Sequence, residues 1–494
     1  MNIPVVLYTV NSLILMLAAI LLIPFGVACY YNDDAAMWAF IYTIIITGIL
    51  GGSSKVIFRK KPTEIGIRDS IAIVTFSWIV CIFLGALPFW FSGICTTYCD
   101  AVFETTSGFT TTGASIFKDV EALPQSILFW RAFTCWLGGM GIIVIFVALL
   151  PAMGISGYQL FSTEVSGPTA DRLKPRIGET AKLLWIIYLI LTASMILALF
   201  CGGMPFFDAI CHTFSTVSTA GFSTKNTSIA FYNSLYIEIV VAAFMFICGC
   251  NFSLYYKCFQ KEFKKVLNNS ELKFFAGLIL TAIIFAAMTL YLSRPESFNG
   301  GVKDNRYYDL GNSFRYAFFQ IITVCTGTGY ISTDFDIWPN AGRFLLILLM
   351  FIGACAGSTG GGIKCVRILL LLKSSLRELT RIIRPRMVKH VKINGESVSE
   401  EIVTESSVFF VVYLGSFGIC SLALMALDTD IITAFSAVAT CMANCGPGLA
   451  KVGPMANYSD MAYAGKWVLS FCMLLGRLEI YSLILLFLPM TWKR

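Results

Sequence analysis

At 494 residues, 57% hydrophobic and only 13% charged, the chain has the composition of an integral membrane protein, not of a soluble globule. Its net charge of +7 sits in loops between apolar runs, so it describes membrane topology and not nucleic-acid binding. The 17 cysteines are scattered without a CxxC framework and read as small core residues, and the two histidines, His212 and His390, are too few and too far apart for a metal site.

A membrane-spanning helix needs about 20 apolar residues, and ten segments qualify. The first two, 5–30 and 35–58, form an N-terminal pair within residues 1–62. The first has no basic n-region and no small-residue cleavage site, so it is expected to be retained. Four units follow: 63–155 with apolar segments 70–92 and 126–150, and 156–262 with 182–201 and 232–256. The third is 263–385 with 273–292 and 341–372, and the fourth is 386–494 with 405–427 and 464–489. Most of the 36 Lys and Arg fall on one side of this arrangement: around 55–68, 172–182, 257–273 and 364–392, and at Lys493 and Arg494. That side is expected to be cytoplasmic, with both termini inside. The stretch 364–401 offers a cytosolic partner the best docking place. Cys95 and Cys99 fall on the outer side and are the candidate pair for a disulfide.

Inside each unit, a polar break separates the two apolar helices. Aligned without gaps on a closing glycine, the breaks are CDAVFETTSGFTTTG (99–113), FDAICHTFSTVSTAG (207–221), RYAFFQIITVCTGTG (315–329) and ITAFSAVATCMANCG (432–446). Alanine stands in all four at Ala101, Ala209, Ala317 and Ala434, and Ser or Thr at Ser107, Ser215, Thr323 and Thr440. The glycines are Gly113, Gly221, Gly329 and Gly446. The pattern predicts helix, half-helix, polar turn, helix, four times over.

Non-helical backbone at membrane depth must be buried in protein or line a water-filled cavity. Four re-entrant turns converging on a pseudo-fourfold axis satisfy this. Half-helix C termini carry partial negative charge toward the axis, and turn carbonyls replace a cation's hydration shell. The residues beside the glycines are Thr111, Thr112, Thr219, Ala220, Gly327, Thr328, Asn444 and Cys445. None is acidic, which suits a large, weakly hydrated monovalent cation better than a divalent one. Glu104 and Asp208 lie in the first two half-helices and are expected to cap them.

Two further features stand out. GACAGSTGGGIK (353–364) carries five glycines and cannot remain helical, because each costs about 1 kcal/mol relative to Ala. It lacks the Gly-Lys-Ser/Thr ending of a phosphate-binding loop and no strand precedes it. It reads as a flexible loop under the turns that blocks or opens a path, through Gly357, Ser358, Thr359, Gly360, Gly361, Gly362 and Lys364. Arg477 stands inside the last apolar segment, where a charge must face a cavity or pair. Glu479 is two residues away and points elsewhere on a helix. Arg477 is expected to project into the path below the turns and repel cations; the alternative is a purely structural ion pair with a carboxylate from another unit.

TTTGAS (110–115), STAGFST (218–224), TGTGYIST (326–333), NCGPGL (444–449), GACAGSTGGGIK (353–364) and GRLE (476–479) together resemble the Trk and Ktr superfamily of K⁺ transporters, of the TrkH type. The resemblance implies an all-α membrane protein: four non-identical pore units around one axis, preceded by two extra helices. It implies passage of K⁺, often with Rb⁺, with no organic cofactor, in a bacterial cytoplasmic membrane. A homodimer and a cytosolic TrkA-like nucleotide-binding regulatory subunit are implied as partners. The third-unit loop is then the intramembrane gate. The K⁺ ligands carry over to the backbone of 111–113, 219–221, 327–329 and 444–446. No turn has the full Thr-Val-Gly-Tyr-Gly pattern of K⁺ channels, and the fourth contains Pro447. A K⁺/H⁺ symporter and an Na⁺-tolerant monovalent cation channel are the alternatives. A membrane enzyme is disfavoured by the lack of a nucleophile with a base, a metal triad or a cofactor motif.

Overall fold

The computed structural model describes residues 1–57, 66–141, 177–301, 303–387, 390–487 and 489–492. The unit boundaries expected at 62 and 155, and the basic residues Arg59, Lys60, Lys61, Arg172, Lys174, Arg176, Lys493 and Arg494, lie outside them. Among the described residues the architecture is all-α apart from one two-stranded hairpin. Six described helices are long and apolar enough to cross a membrane: Ile3–Tyr31, Asp34–Ser53, Arg68–Phe91, Ala181–Cys201, Ser270–Leu292 and Glu400–Met425. They are apolar on all sides, as a helix between lipid and protein must be. On Ser270–Leu292, for example, Phe275, Ile283 and Leu290 are buried while Leu280, Ile284 and Leu292 are exposed.

The other four apolar segments are not continuous helices. Gln125–Gly139, Leu235–Gly249, Asn340–Met350 and Tyr463–Arg477 each stop midway. The interruption of 341–372 is the one expected from its glycines; those of 126–150, 232–256 and 464–489 correct the sequence reading. After Gly249 the chain turns through 94° into Phe252–Phe259. After Arg477, Glu479 and Ile480 take left-handed φ of 50° and 60° before Tyr481–Phe487 resumes. The first segment reaches Gly141, at φ 67°, the last described residue before 177.

The interruptions are explained by what lies against them. Four short helices, Tyr98–Phe109, Phe206–Val217, Leu310–Cys325 and Ile431–Ala443, are of 12 to 16 residues and too short to span. They occupy the centre, and their repeated alanines, Ala101, Ala209, Ala317 and Ala434, are each fully buried. The interrupted helices press on their C-terminal ends. A Cβ on Gly138 would lie 1.9 Å from the Phe109 carbonyl oxygen, and one on Gly476 2.2 Å from that of Met442. Only glycine fits such an approach.

Candidate ion pathway

Each short helix begins and ends by the same logic. Thr97, Asp309 and Asp430 accept a backbone N–H at the start of the first, third and fourth helices, as N-caps do; Pro205 starts the second without a side-chain cap. At the other end, the residue two before each closing glycine is left-handed: Thr111 (φ 57°), Thr219 (55°), Gly327 (74°) and Asn444 (53°). This residue and the next donate to the last turn of the helix. Thr111 N–H bonds the Gly108 carbonyl at 2.9 Å and Thr112 N–H that of Ser107 at 2.8 Å. The corresponding donors Ala220, Thr328 and Cys445 reach Ser215, Thr323 and Thr440 at 2.7, 2.9 and 2.9 Å. These are Schellman closures, and the aligned Ser/Thr column is their acceptor. A β-branched residue at positive φ is a true outlier, held only because the surroundings over-determine it.

The N–H groups thus turn back into the helix while the carbonyls do not. Among the described residues none donates a hydrogen bond to the carbonyls of Thr111, Thr112, Gly113, Thr219, Ala220, Gly221, Gly327, Thr328, Gly329, Asn444 or Cys445. The Gly446 carbonyl accepts from the Tyr458 hydroxyl at 2.8 Å.

The four closing glycines form a closed cycle. A Cβ on Gly113 would lie 2.6 Å from the Gly221 nitrogen, and one on Gly221 2.5 Å from the Thr328 oxygen. One on Gly329 would lie 1.7 Å from the Cys445 oxygen, and one on Gly446 2.7 Å from the Thr112 oxygen, which returns to the first turn. A cavity of about 260 Å³ opens against this ring, lined by all four glycines with Ser115, Asn226 and Tyr458 among others.

At the other end of the turns, the 353–364 loop and Arg477 lie under all four. Arg477 donates to the Thr111 hydroxyl at 3.3 Å, to the Thr359 and Gly139 carbonyls at 2.6 and 2.9 Å, and to Gly138. The Thr359 hydroxyl meets that of Thr219 at 3.3 Å. A Cβ on Gly360 would lie 3.1 Å from the Thr326 oxygen, and one on Gly361 2.2 Å from Asn444 Oδ1. Gly357 and Gly362 turn the loop at φ 67° and 71°. Its legs are joined by Gly353 N–H to Ile363 and Cys365 N–H to Ala354, at 2.8 and 3.1 Å. It docks on the second interruption through Cys355 N–H to Gly249 and Phe252 N–H to Gly357, both 3.0 Å. Ser358 is bonded to Cys355 within the loop, and the buried Lys364 ammonium donates to the Gly360 carbonyl.

A family model for cation transport proteins, TrkH, matches residues 36–494. The chain belongs to the TrkH family of cation transport proteins. It is 38% identical over 487 residues to the Trk system potassium uptake protein TrkH of Salmonella typhimurium, covering 98% of each chain. It is 34% identical over 496 residues to TrkG of Escherichia coli K12, covering 100% of this chain and 99% of that one. Its fold matches the crystal structure of the potassium transporter TrkH from Vibrio parahaemolyticus with a TM-score of 0.87 and 36% identity, over the whole of both chains. The family and the fold are those of a membrane transporter, not of an enzyme.

Against this TrkH fold several sequence-based expectations are corrected. Glu104 does not cap its helix. It is buried and accepts from Arg131 Nε at 2.5 Å, from the Ser115 hydroxyl at 3.1 Å and from Ile116 N–H at 3.0 Å. Arg131 also bonds the Ser223 carbonyl at 2.9 Å and stacks over Phe222 at 3.8 Å, tying the first turn's exit to the second's. Asp208 accepts from the Thr224 and Tyr232 hydroxyls at 2.7 and 3.0 Å and caps nothing. Cys95 and Cys99 are both free thiols. His212 bonds the Asp208 carbonyl and the Ser223 hydroxyl. No group of three His, Cys, Asp or Glu suited to a metal occurs among the described residues.

The sequence reading missed two seams. Lys466 pairs with Asp100 at 2.6 Å, joining the last interrupted helix to the first short one. Glu238 pairs with Arg315 at 2.7 Å, joining the second interrupted helix to the third short one. Each partner stands in the first turn of its interrupted helix, with the charges exchanged, and this is visible only once the elements are neighbours.

Proposed function

We propose that this chain carries K⁺ into the cell through the ring of four turns. The backbone carbonyls of 111–113, 219–221, 327–329 and 444–446 act as ligands. The observation that carries the reading is the closed cycle of glycines together with eleven turn carbonyls that receive no hydrogen bond from a described residue. An unmet buried acceptor costs about 1–3 kcal/mol, and a dehydrated cation supplies what is missing. The lack of an acidic residue in the turns favours a monovalent ion. The relatives TrkH and TrkG are potassium uptake proteins, which agrees with this reading.

The same reading makes the 353–364 loop and Arg477 the gate, since they lie across the lower end of every turn. Arg477 adds a fixed positive charge there. Control falls to a cytosolic nucleotide-binding subunit acting on a homodimer in the bacterial inner membrane, with both termini inside. The test is ⁸⁶Rb⁺ uptake by purified protein in vesicles. Uptake suppressed by K⁺ well before Na⁺ is expected; uptake equally suppressed by both would replace K⁺ selectivity with a general monovalent path.

A further inference from the structure

One group of contacts lies outside the pathway and has no role in it so far. Glu271 stands in the first turn of Ser270–Leu292 and is buried. It does not cap its own helix, because Asn269 does so at 2.9 Å. Its Oε1 instead accepts from Ala356 N–H at 2.7 Å and from Val366 N–H at 3.1 Å. One is inside the loop near its entry, and the other opens the helix Cys365–Ile383 that leaves it. A single carboxylate therefore pins both legs of the loop and sits at a helix N terminus, where negative charge is favoured.

The residue before Glu271 is held from elsewhere. Lys392–Ile393 and Glu396–Ser397 form a hairpin turning at Asn394 and Gly395, with φ of 53° and 88°. This is the Asn-Gly turn that matches strand twist. Asn394 Oδ1 accepts from Ser270 N–H at 2.7 Å, and Asn394 N–H donates to the Ser270 hydroxyl at 3.1 Å. The hairpin itself is seated: Val391 is buried with Leu370 and Val403, and the Lys373 ammonium reaches the Lys392 carbonyl at 2.7 Å. The tip is exposed, so a reciprocal clasp links a surface turn to the residue next to the loop's pin.

We infer that Glu271 is the positioning residue of the 353–364 loop and that the Asn394–Ser270 clasp sets Glu271 from the surface. The inference rests on reading that loop as the gate. With the clasp closed, Ser270 fixes the start of its helix and Glu271 holds both legs of the loop against the turns. Displacing the hairpin tip frees the helix start, and with it the loop.

The test is ⁸⁶Rb⁺ influx into vesicles holding purified full-length protein alone. Glu271→Ala is expected to raise influx about fivefold, and Asn394→Gly, which keeps the left-handed turn, about twofold. Glu271→Gln keeps an acceptor oxygen and is expected to bring influx back toward wild type. The double variant Asn394→Gly/Glu271→Ala is expected to match Glu271→Ala, because both act on one path. The K⁺ over Na⁺ competition is expected to stay unchanged in all four, which a general loosening of structure would not give. Unchanged or lower influx in Glu271→Ala, or independent addition of the two effects, overturns the inference. Arg477→Ala run in parallel separates the levels. If it raises influx while Glu271→Ala does not, only the positioning role of Glu271 and its clasp fails; if neither does, the gate reading fails with it.

Discussion

At the ring, Thr111, Thr219, Gly327 and Asn444 stand at equivalent positions, all left-handed, each followed by the same hydrogen bond into the helix end. Beneath the ring, the three helix interruptions described on both sides share little but their place. One bends by 94° at Gly249–Phe252, one opens into the 353–364 loop, and one turns on the non-glycine pair Glu479 and Ile480. The upper layer is bound by a common demand, to present carbonyls at one level, so its four members are alike. The lower layer has divided its labour: one interruption supplies the loop, another the dock for it, and the last the charge of Arg477. On the proposed reading, conduction belongs to the layer that is uniform, and control to the layer that is not.

Substitutions at the ring should break this division most strongly. Gly329→Ala places a methyl 1.7 Å from the Cys445 oxygen at φ 79°. A strain of ~3 kcal/mol there corresponds to about a hundredfold loss of ⁸⁶Rb⁺ uptake. Gly277→Ala, where a Cβ meets nothing within 4 Å, is the matched control and should transport normally. Glu104→Ala should come next. It strands the buried Arg131 and is expected to destabilise the protein by ~3 kcal/mol, read as a lower melting temperature in detergent.

Arg477→Ala acts on the lower layer and should move transport the other way. Removing ~1.4 kcal/mol of repulsion raises uptake about tenfold; unchanged uptake would leave the guanidinium a purely structural brace for Gly138, Gly139 and Thr359. The smallest effect is expected at a seam. Lys466→Met alone strands Asp100 and lowers the melting temperature, whereas Lys466→Met with Asp100→Leu should restore most of it, because a packed apolar pair replaces a buried ion pair at little loss. A double variant no more stable than the single one would show that the seam needs its charges.

The uniform layer was also the legible one. Repetition made the turn glycines, the buried alanines and the Ser/Thr acceptors visible as aligned columns, because the same steric demand acts four times. The six continuous helices were legible from length and apolarity. The divided layer was not, apart from the glycine-rich loop and the placement of Arg477 below the turns. Leu478, Glu479 and Ile480 carry no glycine or proline, and the turn there is held by tertiary contacts such as the 2.6 Å pair between Glu479 and Arg367. Glu104 looked like a cap because its partner, Arg131, lies 27 residues away. The hairpin at Asn394–Gly395 did carry a local turn signal, but its hold on Ser270 joins residues 124 apart. What depends on one contact between distant segments leaves no period to read.

The most direct test of the account is anomalous diffraction at the rubidium edge from crystals grown in Rb⁺. The account predicts peaks on the axis between Gly113, Gly221, Gly329 and Gly446, within coordination distance of the turn carbonyls. Ordered Rb⁺ elsewhere in the molecule, with none between those four turns, would contradict it.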